Sequence, residues 1–121
     1  NWGDPPFPQY ADTELAVKGI PDGAFTIMLT HDPAHWETLI AGNYNVDLTL
    51  SGHTHGMQSG IKVAGITFSP AMFARKNWGG IYKNNKSVLH VNTGLGNVFF
   101  PWRIDMPGEI TAITLKRSQV N

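Results

Sequence analysis

Cysteine is absent from the 121 residues. Without thiols there is no disulfide and no thiolate metal site, so any bound metal has to be held by nitrogen and oxygen donors. Excess charge is missing too: nine Lys and Arg balance nine Asp and Glu. The basic residues are scattered, with Arg75-Lys76 and Lys116-Arg117 as the close pairs. The chain therefore carries no nucleic-acid-binding signature. Neutrality leaves a phosphate-bearing substrate open, because metal ions can supply the positive charge. No apolar run nears the roughly 20 residues of a membrane span, and no leader pattern is present. The first residues, "NWGDPP", do not begin with Met, which raises the expectation that this is a segment of something longer.

What is present suffices for a core. Apolar residues make up 41% of the chain, and a domain of this size buries roughly two thirds of its unfolded surface. "NWGDPPFPQY" reads as an extended loop. In "ADTELAVKGI", Asp12 or Thr13 caps a short helix with Leu15 and Ala16 inward and Gly19 at its end. After the "PDG" turn, "AFTIMLTH" reads as a buried strand from about Phe25 to Thr30. "DPAHWETLIAGNYN" fits a helix of about eight residues. Pro33 suits its first turn, Trp36, Leu39 and Ile40 form the apolar face, and Gly42-Asn43 is the stop. "VDLTLSG" is a second strand. Residues 25–52 are then a βαβ unit, with parallel strands whose carboxyl ends share one edge.

Beyond it come short β-like runs, "IKVAGITF", "GGIYKNN", "KSVLHVNTG" and "EITAITLKR". "KNNK" reads as a hairpin turn, and "EITAITLK" as a strand that closes the sheet.

The chemistry gathers at the shared strand edge. His31 follows the first strand; His53 and His55, in "LSGHTHG", follow the second. Ligands of open α/β sheets bind outside the carboxyl ends of strands, and neutral imidazole is the commonest metal ligand. Gly52 and Gly56 bracket the H-x-H pair and let the backbone turn sharply. His35, on a helix face, and His90, inside a strand, read as structural. A cupin-type site wants Glu four or five residues after the second histidine, where Ser59 and Gly60 stand. A metal-dependent TIM barrel needs about 250 residues.

"LSGHTHG" with the upstream "LTHDP" resembles the calcineurin-like metallophosphoesterases, and the wider match is to their bacterial membrane-linked subgroup. The order helix, G-x-P-D-G-x-F-x-I-x-L-x-H-x-P, D-L-x-L-S-G-H-T-H-G-x-Q, V-N-x-G-L-G, P-x-R, P-x-E-I-T is similar across residues 12 to 117. The resemblance implies an α/β fold. Residues 1–121 would be a single partial domain, the C-terminal half of a four-layer αββα sandwich: one βαβ unit followed by mixed and antiparallel strands. It implies that His31 and His53 are ligands of the family's second metal and His55 of its first. Asn92, Gly94 and Arg103 match positions near the pocket without a defined role. Met57 stands where many relatives have Gly, which could crowd the turn.

The family also has D-x-H, G-D and G-N-H-[DE] motifs ahead of the lone histidine, carrying the bridging Asp and the remaining ligands. None is recognisable before His31; the Gly3-Asp4 pair reads as loop. Asp32 could be recruited, but Pro33 after it points to a helix start. The expectation is a C-terminal fragment of a dinuclear metal-dependent phosphoesterase acting on phosphate esters as a phosphatase or phosphodiesterase. The parent would hold two divalent ions of Mn, Fe or Zn type. The isolated chain would be inactive and bind at most one ion weakly, since imidazoles alone leave two cations repelling each other. Its partner would be the missing N-terminal half, and an uncovered half-sandwich is expected to self-associate. The alternative is a non-catalytic metal-binding or interaction domain of the same fold. Location stays open: the subgroup implies a membrane-associated or exported parent, with this segment as its soluble part.

Overall fold

A computed structural model describes residues 10–98 and 100–117. The proline-rich loop expected over residues 1–10, with its Gly3-Asp4 pair, lies outside them except for the exposed Tyr10. The first helix, α1 (Thr13–Val17), starts where Asp12 accepts the Leu15 N–H at 2.9 Å. That cap sets the phase. Thr13 and Val17, four apart, face the protein, while Leu15 and Ala16 point outward, which corrects the expectation that they face inward.

The strand β1 (Ile27–Leu29) pairs in parallel with β2 (Leu48–Ser51), in the register Ile27 to Leu48 and Leu29 to Leu50. Between them α2 (Pro33–His35) begins on an Asp32 cap, with Pro33 in the first turn, and runs on into a π-helical turn, Trp36–Ile40. The βαβ reading therefore holds, although its helix is half π-type and β1 is not a buried strand. β1 is a sheet edge with Ile27 and Leu29 exposed.

A hairpin of β3 (Ile61–Val63) and β4 (Ile66–Phe68) forms a separate two-stranded sheet, and the short α3 (Ala71–Ala74) follows it. β5 (Gly80–Asn84) and β6 (Ser87–Val91) are antiparallel around the expected "KNNK" turn, with Asn85 at φ +52°. β6 lies parallel beside β2, giving the four-stranded order β1-β2-β6-β5. Both sides of β6 are thus occupied. "EITAITLK" forms no strand among the described residues and runs exposed, contrary to expectation.

The register sorts the sheet into two faces. Met28, Thr49, Leu89 and Tyr82 form one row across it, on the side where Trp36, Ile40, Val46, Leu89 and Val91 build the core. The indole Nε1 of Trp36 donates to Ser87 Oγ at 3.0 Å and ties the π-turn to β6. Leu29, Leu50, His90 and Ile81 form a row on the other side, open at both ends, where Leu29 is 75% and Ile81 65% exposed. The fold is mixed α/β, with helical turns on one side of its main sheet.

Candidate metal centre

Parallel pairing continues past the ends of β1 and β2. The Gly52 N–H donates to His31 O at 3.1 Å, and Ser51 Oγ donates to the same carbonyl at 2.9 Å. This lattice sets His31 and His53 side by side. His53 Nδ1 lies 3.0 Å from His31 Nε2, with the rings edge-on, 4.8 Å apart and 79° between planes. Two nitrogens on one tetrahedral ion at about 2.0–2.1 Å would be separated by roughly 3.4 Å. The pair therefore fits two positions of one coordination shell after a small opening. A cleft of about 370 Å³ opens beside His31.

Asp32 stands next to this pair but is engaged elsewhere. It is buried, and its Oδ1 accepts from the Ala34 N–H and from Arg75 Nη1, each at 2.9 Å. Its Oδ2 lies 3.7 Å from His53 Nε2, and Arg75 Nη2 lies 3.4 Å from the same nitrogen. Burial pushes the His53 imidazole below its ordinary value; Asp32 opposes this, while Arg75, His31 and His55 add to it.

His55 goes a different way. It opens a 3-10 turn, His55–Gln58, in a segment where His53, His55, Met57 and Gln58 all have positive φ, as does Gly56 at +56°. Such a run of non-glycine residues in the left-handed region is costly and needs surrounding contacts to hold it. Ser69 Oγ donates to Gly56 O at 2.6 Å. A Cβ on Gly56 would come within 2.7 Å of Met106 Sδ. Gln58, buried, donates its amide to Phe100 O and Trp102 O and accepts the Val98 N–H. Met57 points outward and leaves the turn uncrowded. His55 Nδ1 meets Gly96 O at 3.2 Å. Hence His31 and His53 converge, while Nδ1 of His55 turns to the Gly96 loop. Among the described residues no three His, Asp or Glu side chains close into a metal-holding group.

Of the other singled-out residues, His35 is buried between two hydroxyls, Thr13 Oγ1 at 2.6 Å and Thr30 Oγ1 at 2.9 Å. His90 Nε2 lies 3.6 Å from Glu109 Oε1. Asn92 Oδ1 accepts the Gly94 N–H at 2.7 Å, shaping the loop that faces His55. Arg75 was visible in the sequence only as one of a close basic pair and Gln58 only as the last position of the H-x-H motif. The fold brings Arg75, 22 residues from His53, to that histidine and turns Gln58 toward Phe100 and Trp102.

Comparison with known proteins identifies relatives of the chain. The chain is 35% identical over 105 residues to the metallophosphoesterase YkuE of Bacillus subtilis, 87% of this chain and 36% of that protein. It is 32% identical over 106 residues to a metallophosphoesterase of Helicobacter pylori, 86% of this chain and 27% of that protein. Over 86–88% of its length the chain is homologous to metallophosphoesterases. A zebrafish (Danio rerio) transmembrane protein with a metallophosphoesterase domain is 28% identical over 109 residues, 88% of this chain and 24% of that protein. The chain thus spans about a third or less of the length of these metallophosphoesterases. No family model and no solved structure matches it. No helix among the described residues is long and apolar enough to cross a membrane.

Proposed function

We propose that this chain contributes three imidazole ligands, His31, His53 and His55, to a dinuclear metal-dependent phosphoesterase. The observation that carries the reading is the 3.0 Å approach of His31 Nε2 and His53 Nδ1 at the carboxyl ends of two parallel strands. His31 and His53 would hold one divalent ion and His55 another. Bound ions would clamp a phosphate ester and lower the pKa of a coordinated water. The chain's own residues orient these donors: Ser51 and Gly52 fix the His31 carbonyl, and Arg75 neutralises buried Asp32.

Charge argues that the site is shared. Two divalent ions need carboxylates between them, and among the described residues the carboxylate beside the pair, Asp32, is committed to Arg75 and the Ala34 N–H. In this reading the bridging carboxylates belong to the stretch of the longer relatives that the 121 residues do not span. The same commitment of Asp32 favours, as a second reading, a domain that kept the fold and lost the chemistry.

A hydrolysis assay on the full natural chain with added manganese separates the two. Turnover of a phosphomonoester or phosphodiester that drops at least a hundredfold in His53→Ala supports the enzyme. Absence of turnover across monoesters, diesters and cyclic nucleotides sinks it.

A further inference from the structure

His55 has Nδ1 against the protein and, among the described residues, no hydrogen-bond partner on Nε2, and which nitrogen carries the proton decides what it can bind. Neutral imidazole has one N–H and one lone pair. Two groups crowd Nδ1: the Gly96 carbonyl oxygen at 3.2 Å and Arg103 Nη2 at 3.4 Å. They demand opposite tautomers, because the carbonyl can only accept and the guanidinium can only donate.

Counting hydrogens resolves the choice. Nη2 of Arg103 has two hydrogens. It makes two shorter bonds, to Gly96 O at 2.6 Å and to Thr93 O at 2.9 Å. None is left for His55. A lone pair on Nδ1 would also face the lone pairs of Gly96 O at 3.2 Å. Both arguments put the proton on Nδ1, donated to Gly96 O. Arg103 is what holds that oxygen in place. Its Nε reaches Gly96 O as well, at 3.2 Å, so the guanidinium grips the carbonyl as a fork, and its Nη1 reaches Met106 O at 3.4 Å.

We propose that Arg103 is a positioning residue that holds the Gly96 carbonyl against His55, keeping the imidazole proton on Nδ1 and the Nε2 lone pair open. That Nε2 then serves a metal rests on the function proposed above. Outer hydrogen bonds of this kind set the tautomer of metal-binding histidines, and their loss costs about 10- to 100-fold in affinity.

The test reads the tautomer directly, without metal. The full natural chain, uniformly labelled with 15N, is examined by NMR at about pH 8, above the ordinary histidine value of about 6.5. The expected result is Nδ1–H for His55 in the wild type. Arg103→Met and Arg103→Lys, which keeps charge but loses the fork, should each shift the ratio of tautomers at least tenfold toward Nε2–H. The amide signals of Thr93 and Glu109 report whether the surrounding loops stay folded. An Nε2–H His55 in the wild type, which needs no variant, overturns the proposal. So does an unchanged tautomer in both variants. Zn2+ titration then addresses the metal separately. Weakening by 10- to 100-fold in Arg103→Met, read at the His55 Nε2 signal, extends the proposal to binding. A wild-type Nδ1–H His55 whose Nε2 ignores saturating Zn2+ upholds the tautomer assignment and sinks the ligand role instead.

Discussion

His35 is held by two threonine hydroxyls, one on each ring nitrogen. A neutral imidazole suits this, since a hydroxyl can donate to one nitrogen and accept from the other. Burial pushes its pKa below the ordinary 6.5. The unfolded chain therefore takes up a proton before the folded one does. The stability His35 contributes is complete above pH 6.5 and declines as pH falls below it. Urea midpoints at pH 7.5 and 5.5 should show this decline, and His35→Leu should shrink it. Thr49 is the opposite case. It is fully buried at the centre of β2, and its Oγ1 finds no partner among the described residues. Thr49→Val keeps the shape and removes the stranded hydroxyl, so the urea midpoint should rise by the equivalent of about 1 kcal/mol. Neither fate was legible in the sequence. The threonines bonded to His35 lie 22 residues before it and 5 before it, and no local pattern ties them together.

Among the elements, the βαβ unit and the hairpin were legible because period, cap and turn residues act over a few neighbours. Asp32-Pro33 starts the helix and Asn85 turns the hairpin, as their chemistry requires. "EITAITLK" alternates like a strand, yet among the described residues it pairs with neither free edge of the sheet, β1 or β5. Its start is held by Glu109 instead. Glu109 Oε2 accepts the Thr93 N–H and Thr93 Oγ1, and its Oε1 accepts Thr111 Oγ1. Burial opposes ionisation of this carboxyl, but the Thr93 and Thr111 hydrogen bonds and His90 outweigh it and hold its pKa below the ordinary 4.5. The stability it contributes is present above pH 4.5 and is lost as pH falls through the depressed value. Amide exchange at Thr93 should accelerate over that acid range, and Glu109→Gln should show faster exchange already at pH 7.

For the whole molecule, the decisive fact is the contrast between the two faces of the main sheet. One carries Trp36 and Ile40; the other leaves Ile27, Leu29 and Ile81 exposed. Exposed apolar side chains on a sheet face favour association. The 121-residue chain should elute in size exclusion at an apparent mass that grows with concentration. Leu29→Lys and Ile81→Lys together should return it to the monomer position, since both sites are already solvated and tolerate charge. A concentration-independent monomer in the unmodified chain would count against that face as an association surface.

The sequence alone determined the βαβ unit, the hairpin and the edge at which the histidines arrive. Hydrophobic period and strand order are local properties, and parallel strands necessarily bring His31 and His53 to one side. Tertiary structure decided what each histidine meets there. His31 and His53 turn to one another, Asp32 is taken by Arg75, and His55 is drawn to Gly96 by the loop that Arg103 holds. Those outcomes depend on side chains from 7 to 48 residues away in the chain. Such distances are closed only by packing, which is why the motif could name the imidazoles but not the groups that aim them.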